Sequence, residues 1–112
     1  QAEQLVAAAL DAQWDDELAL CYGELQGVDD TSMLERAENW LITHGDRAAL
    51  LVTLGRLARH AGRLDQARRY LDKALAHGAA PATAAAELAE LLIDQGDRDG
   101  AIRAFREALR RP

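Results

Sequence analysis

Three histidines, one cysteine and a cluster of arginines are the residues of this chain with the most distinctive chemistry. His44 and His77 stand 33 positions apart, each directly ahead of a glycine, Gly45 and Gly78. No histidine pair, His60 included, has the i, i+4 spacing that aims two imidazoles at one metal ion from a single helix face. Ordinary helix-end and loop histidines are therefore expected, and a lone axial ligand to a haem iron is the sharper alternative. Cys21 falls between Leu18 and Leu25 on an apolar face. A small buried hydrophobe is the default there, and a reactive thiol the alternative. A single cysteine makes neither an internal disulfide nor a cysteine-paired zinc site. Ser–His–Asp order, paired catalytic carboxylates and a GxGxxG loop cannot be read anywhere in the chain. No catalytic residue, cofactor or metal is expected, and the chain reads as non-enzymatic.

The basic residues Arg56, Arg59, His60, Arg63, Arg68 and Arg69 cluster within one short stretch. Arg56 and Arg59, three apart on a helix, can clamp a carboxylate: a peptide terminus, an acidic side chain or a propionate. The plainer reading is a solvated face, with Arg68 offset by Asp72 four residues on and Arg69 facing Lys73.

These side chains need helices to hold them, and apolar residues fall at helical spacing almost throughout. TLGRLARHAGRLDQARRYLDKAL, Thr53 to Leu75, returns 34 residues later as ELAELLIDQGDRDGAIRAFREAL, with eight of 23 positions identical. Helices are predicted at 2–12, 15–26, 33–44, 47–60, 64–77, 82–95 and 98–110. Gly62 and Gly96 accept the backbone angles that end one helix before the next begins. Ser32 and Glu35 offer a capping box for the third helix. Small residues at Gly55, Ala67, Ala74, Ala101 and Ala108 let backbones approach, with Leu71 and Phe105 filling the space between and Leu109 on the same face.

A 34-residue helix–turn–helix with small residues at its crossing resembles the tetratricopeptide repeat. The expected fold is all-α: a right-handed solenoid of antiparallel helix pairs, about seven helices, copied because one hairpin cannot bury its own apolar face. Residues 1–112 form a single domain in this reading. Its parts are the second helix of a truncated repeat (1–13), a degenerate repeat (14–47) and two further repeats (48–81 and 82–112). In the degenerate copy Tyr22 stands where glycine is usual and Trp40 where alanine is usual, so that repeat is expected to be splayed or shifted. In such solenoids the first helix of each repeat lines a concave groove. That places Val52, Arg56, Arg59 and His60 in the groove beside Ala86, Glu90 and Asp94. The expected partner-binding residues are Val52, Arg56, Arg59, His60 and Glu90.

Composition narrows the partners. Net charge is −6, but residues 1–50 set eleven acids against Arg36 and Arg47, while 51–112 set eleven bases against eight acids. A pI near 4.9 argues against nucleic acid, whose binding rests on a basic footprint. No apolar run approaches the ~20 residues of a membrane span. The chain begins at Gln1 rather than Met, which reads as a segment of a longer protein. The last helix is expected to leave stacking surface open, either for further residues or for a second copy.

One stretch goes beyond a generic repeat. Trp14-Asp15, Tyr22-Gly23, Ala37-Glu38 with Trp40-Leu41, His44, Leu50-Leu51, Leu54-Gly55-Arg56-Leu57 and Ala67-Arg68 with Tyr70-Leu71 follow in order between Ala8 and Leu75. This string resembles the C-terminal tetratricopeptide region of the HemY family. It departs from the family at Gly45, where proline usually follows the histidine, and in the looser HGAAPATAAA segment. The resemblance implies an inner-membrane protein of proteobacteria, anchored by N-terminal helices outside this sequence and associated with haem (porphyrin) biosynthesis as a scaffold or regulator. Late haem-pathway enzymes are then the implied partners. A porphyrin carrier and a general peptide-binding adaptor are the rival functions.

Overall fold

The computed structural model describes residues 2–25, 29–78 and 81–110, the side chains of 81, 82 and 107–110 excepted. The described residues form α1 (Ala2–Ala12), α2 (Asp16–Tyr22), α3 (Asp30–His44), α4 (Ala48–His60), α5 (Leu64–Ala76), α6 (Pro81–Asp94) and α7 (Arg98–Arg110). Helices α2, α4 and α6 lie side by side, and α3, α5 and α7 form an outer row, each outer helix folded against the inner ones. This is the all-α arrangement of repeated helix pairs that the 34-residue period predicts. The loop residues Gln26, Gly27 and Val28, and the packing of Ala108 and Leu109, lie outside the described residues.

The repeat recurs down to single hydrogen bonds. At the end of α4 the Arg63 amide donates to the Ala58 carbonyl at 2.8 Å; 34 residues on, Asp97 donates to Leu92 at 2.7 Å. Each closes a six-to-one Schellman turn over a left-handed glycine, Gly62 at φ 80° and Gly96 at φ 81°. Gly45 also has a positive φ, 78°, which proline's ring, fixed near −65°, cannot reach.

Bulk decides how closely each pair packs. A Cβ at Gly55 would lie 2.7 Å from Leu71 Cγ, so only glycine permits this approach of α4 to α5. Leu71 and Ala74 are fully buried behind it. Between α2 and α3 the rings of Tyr22 and Trp40 meet edge to face at 4.9 Å, and no described Cα of α2 comes within 8 Å of one in α3. The degenerate pair is splayed, as expected. Trp40 Nε1 donates to Asp11 at 2.7 Å, and Trp14 packs against the Trp40 ring at 5.9 Å, which ties α1 and the first loop to this aromatic wedge. The Thr53 hydroxyl donates to the Ala19 carbonyl at 2.8 Å, satisfying one of the last carbonyls of the short α2.

Three expectations are corrected. Helix α3 starts at Asp30, not 33, because Asp29 caps it, accepting from the Thr31 amide and the Ser32 hydroxyl. Ser32 therefore supports the cap instead of forming one with Glu35. Cys21 is exposed. Ala19 and Tyr22 fix the inward face of α2, and Cys21 sits about 100° off Tyr22 on a 3.6-residue turn. Phe105, the mate of Leu71, is 44% exposed, because among the described residues α7 meets only α6, while Leu71 lies on a helix held between α4 and α6.

Candidate functional site

The inner row places one side of α4 along a groove walled by α2 and α6. Its first part is lined by Leu20, Val52, Thr83, Ala48 and Ala49, with Asp16 at the rim. Leu20, Val52 and Thr83 continue into a middle part floored by Thr53 and bounded by Glu24 and Arg56. Glu24 and Arg56 in turn open onto a wider cleft of about 450 Å³, completed by Gly23, Arg59, His60, Glu87 and Glu90. Apolar and charged halves thus meet at Arg56. Of the residues expected in the groove, Arg56, Arg59, His60 and Glu90 share the charged cleft, and Val52 lines the apolar part beside Arg56.

The arginines do form a clamp, and its occupant in the folded chain is internal. Arg56 Nε donates to Glu87 Oε1 at 2.6 Å, its Nη2 contacts the same oxygen, and its Nη1 lies 3.4 Å from Glu24. Arg59 reaches Asp94 at 3.3 Å and Glu87 Oε2 at 3.8 Å. Its Nη2 also lies 3.3 Å from His60 Nε2. Glu87 is only 5% exposed and closes the floor between α4 and α6. Burial works against the charge of Arg56, but the hydrogen bond and charge of Glu87, joined by Glu24, more than offset it and hold the guanidinium pKa above its ordinary value. The fit is not complete: Glu87 Oε2 and Arg59 Nε are buried and have no hydrogen-bond partner.

Glu87 was not legible as a site residue. The signal lay in the repeat alignment, where it is the 34-residue mate of Thr53. Both are buried. A buried carboxylate needs a cation within reach, and Arg56 supplies it.

The other candidate side chains lie apart. His44 stacks on Trp14 at 4.4 Å, and His77 lies 3.4 Å from Asp46. Among the described residues no group of three or more His, Cys, Asp or Glu could hold a metal ion. Arg68 pairs with Asp72 at 3.8 Å on the solvent side of α5. On the outer row Tyr70 donates to Glu38 at 2.6 Å and Gln66 joins at 2.9 Å, linking α5 to α3 away from the groove. Burial, then the hydrogen bond to Glu38, pushes the Tyr70 phenol up to about 12. Among the described residues no helix is long and apolar enough to cross a membrane.

Residues 58–111 match the family model for the tetratricopeptide repeat. No curated protein matches the chain. This match shows a tetratricopeptide repeat in residues 58–111, and the helix pairs and paired Schellman turns agree with it.

Proposed function

We propose that the chain is a non-enzymatic docking module whose inner groove takes an extended segment of a protein partner. Tetratricopeptide domains generally mediate protein–protein contacts. The observation that carries the reading is the continuity of the groove along α2, α4 and α6, with apolar and charged halves meeting at Arg56. Such a surface can hold an apolar side chain in one half and orient polar groups in the other. Mapping by amide chemical shifts tests it. Peptides selected for binding should perturb Leu20, Val52, Arg56, His60 and Glu90. Perturbations gathered instead around Glu38, Gln66 and Tyr70 sink the groove assignment.

The resemblance of Ala8–Leu75 to the HemY family supports a context: a scaffold in haem (porphyrin) biosynthesis, membrane-anchored through segments outside these residues. Immobilised domain should then retain late haem-pathway enzymes from detergent-solubilised membranes, and a variant with the groove filled, Thr83→Trp, should not. Equal retention by both proteins counts against this context. The rival porphyrin carrier needs apolar walls for a macrocycle. The cleft nearest His60 is walled by Arg56, Arg59, Glu87 and Glu90, so protein docking is preferred. Exposure of Ile102 and Phe105 on α7 supports self-association through that helix. Sedimentation equilibrium giving a concentration-independent monomer mass ends that part of the proposal.

A further inference from the structure

We propose that the groove selects a segment bearing a lysine or arginine next to an aliphatic residue, and rejects acidic segments. This rests on the docking reading above and adds the chemistry of the occupant. Arg56 and Arg59 suggest an acceptor site for carboxylates, but both are already engaged. Arg56 is bracketed by Glu87 and Glu24, and Arg59 by Asp94 and Glu87. Three glutamates line the cleft against these two arginines, so its balance is negative.

Accessibility points the same way. The Arg56 and Arg59 side chains are 23% and 16% exposed, whereas those of Glu24 and Asp94 are 65% and 41% exposed, and Glu90 is exposed too. An approaching chain meets carboxylates first. Beneath them Glu87, 5% exposed, lines the cleft with its Oε2 lacking any hydrogen-bond donor. A carboxylate ligand that takes Arg56 displaces Glu87 and leaves it buried without its partner, which is strongly unfavourable, and the unpartnered Arg59 Nε is itself buried away from an incoming chain. An ammonium or guanidinium ligand displaces nothing. It adds donors between Glu24 and Glu90 and lowers the field on Glu87. The adjoining Leu20 and Val52 surface then takes the neighbouring aliphatic side chain.

The test uses the full chain and a randomised library of end-capped short peptides, sorted by binding at low salt. The expected winners carry lysine or arginine beside leucine, isoleucine or valine. Glu90→Lys, at an exposed position that leaves the fold intact, should weaken these winners roughly three- to tenfold. Exchanging the peptide's lysine for glutamate should recover much of that loss in the variant alone. A parental melting temperature checks the fold of Glu90→Lys. Acidic winners, or basic winners indifferent to Glu90→Lys, overturn the inference while leaving the docking reading in place. A library with no binders overturns both.

Discussion

Between α2 and α3 the space is filled by the rings of Tyr22 and Trp40; between α4 and α5 the equivalent places hold Gly55 and Ala74, and Gly55 closes against Leu71 and the Ala67 backbone. The two pairs occupy equivalent places in the repeat, with bulk exchanged for backbone proximity. Tyr22, Leu71 and Ala74 are fully buried and Trp40 nearly so, and both solutions exclude water. They differ in what holds the helices. The second pair relies on the close approach of Gly55 to Leu71 and the Ala67 backbone, which tolerates no added atoms. The aromatic pair relies on ring contacts and on a polar anchor, Trp40 to Asp11, which recruits α1. The comparison shows that the 34-residue register constrains position and leaves helix separation to the side chains.

The most disruptive way to break the comparison is to place the first pair's indole in the second. Ala74→Trp has no space behind Gly55 and Leu71, and overpacking of this size should abolish the cooperative melt of α4–α7. A parental melt by circular dichroism would contradict the register itself. The reverse substitution, Trp40→Ala, should cost about 3–5 kcal/mol through a cavity against Tyr22 and Trp14. Hydrogen exchange should then show α1–α3 opening while α4 and α5 stay protected. Equal loss of protection everywhere would mean that the two pairs are not separable.

A smaller effect tests the tie between the pairs. Thr53→Val removes the buried donor to the Ala19 carbonyl and should cost about 1 kcal/mol in urea unfolding. An unchanged midpoint would show that the short α2 needs no such support. The smallest effect appears only in alkali. The Tyr70 phenol rises from its ordinary 10.0 to about 12 in the fold, so the folded state keeps a proton that the unfolded chain releases. The stability this contributes is complete below pH 10 and is lost as pH climbs toward 12. Tyr70→Phe should flatten that alkaline decline, measured as melting temperature against pH. An identical decline in the variant would place the sensitivity elsewhere, with Tyr22, whose phenol burial also raises, the next to be changed.

Helices α4 to α7 were legible to within a residue at nearly every end, because apolar spacing and the glycines at 62 and 96 mark them locally. The first repeat was harder to read. Ser32 was the cap read from the sequence; Asp29 takes its place, its carboxylate accepting from both the Thr31 amide and the Ser32 hydroxyl, which the spacing of apolar residues does not reveal. Cys21 was misplaced for a related reason: periodicity gives an apolar stripe, but which edge of the stripe turns inward depends on the partner helix. At the groove, α4's contributions could be listed from repeat position alone. That its arginines meet Glu87 could not, since the partner stands 31 residues on from Arg56, on another helix.

The sequence alone determined the period, the helical state and the placing of small residues at the crossings, because these follow from local torsional preference and from a copied register. Tertiary structure alone decided the separation of each pair and the charge the groove offers. Both are set by contacts between helices distant in sequence: ring against ring in the first repeat, and guanidinium against a buried carboxylate between α4 and α6.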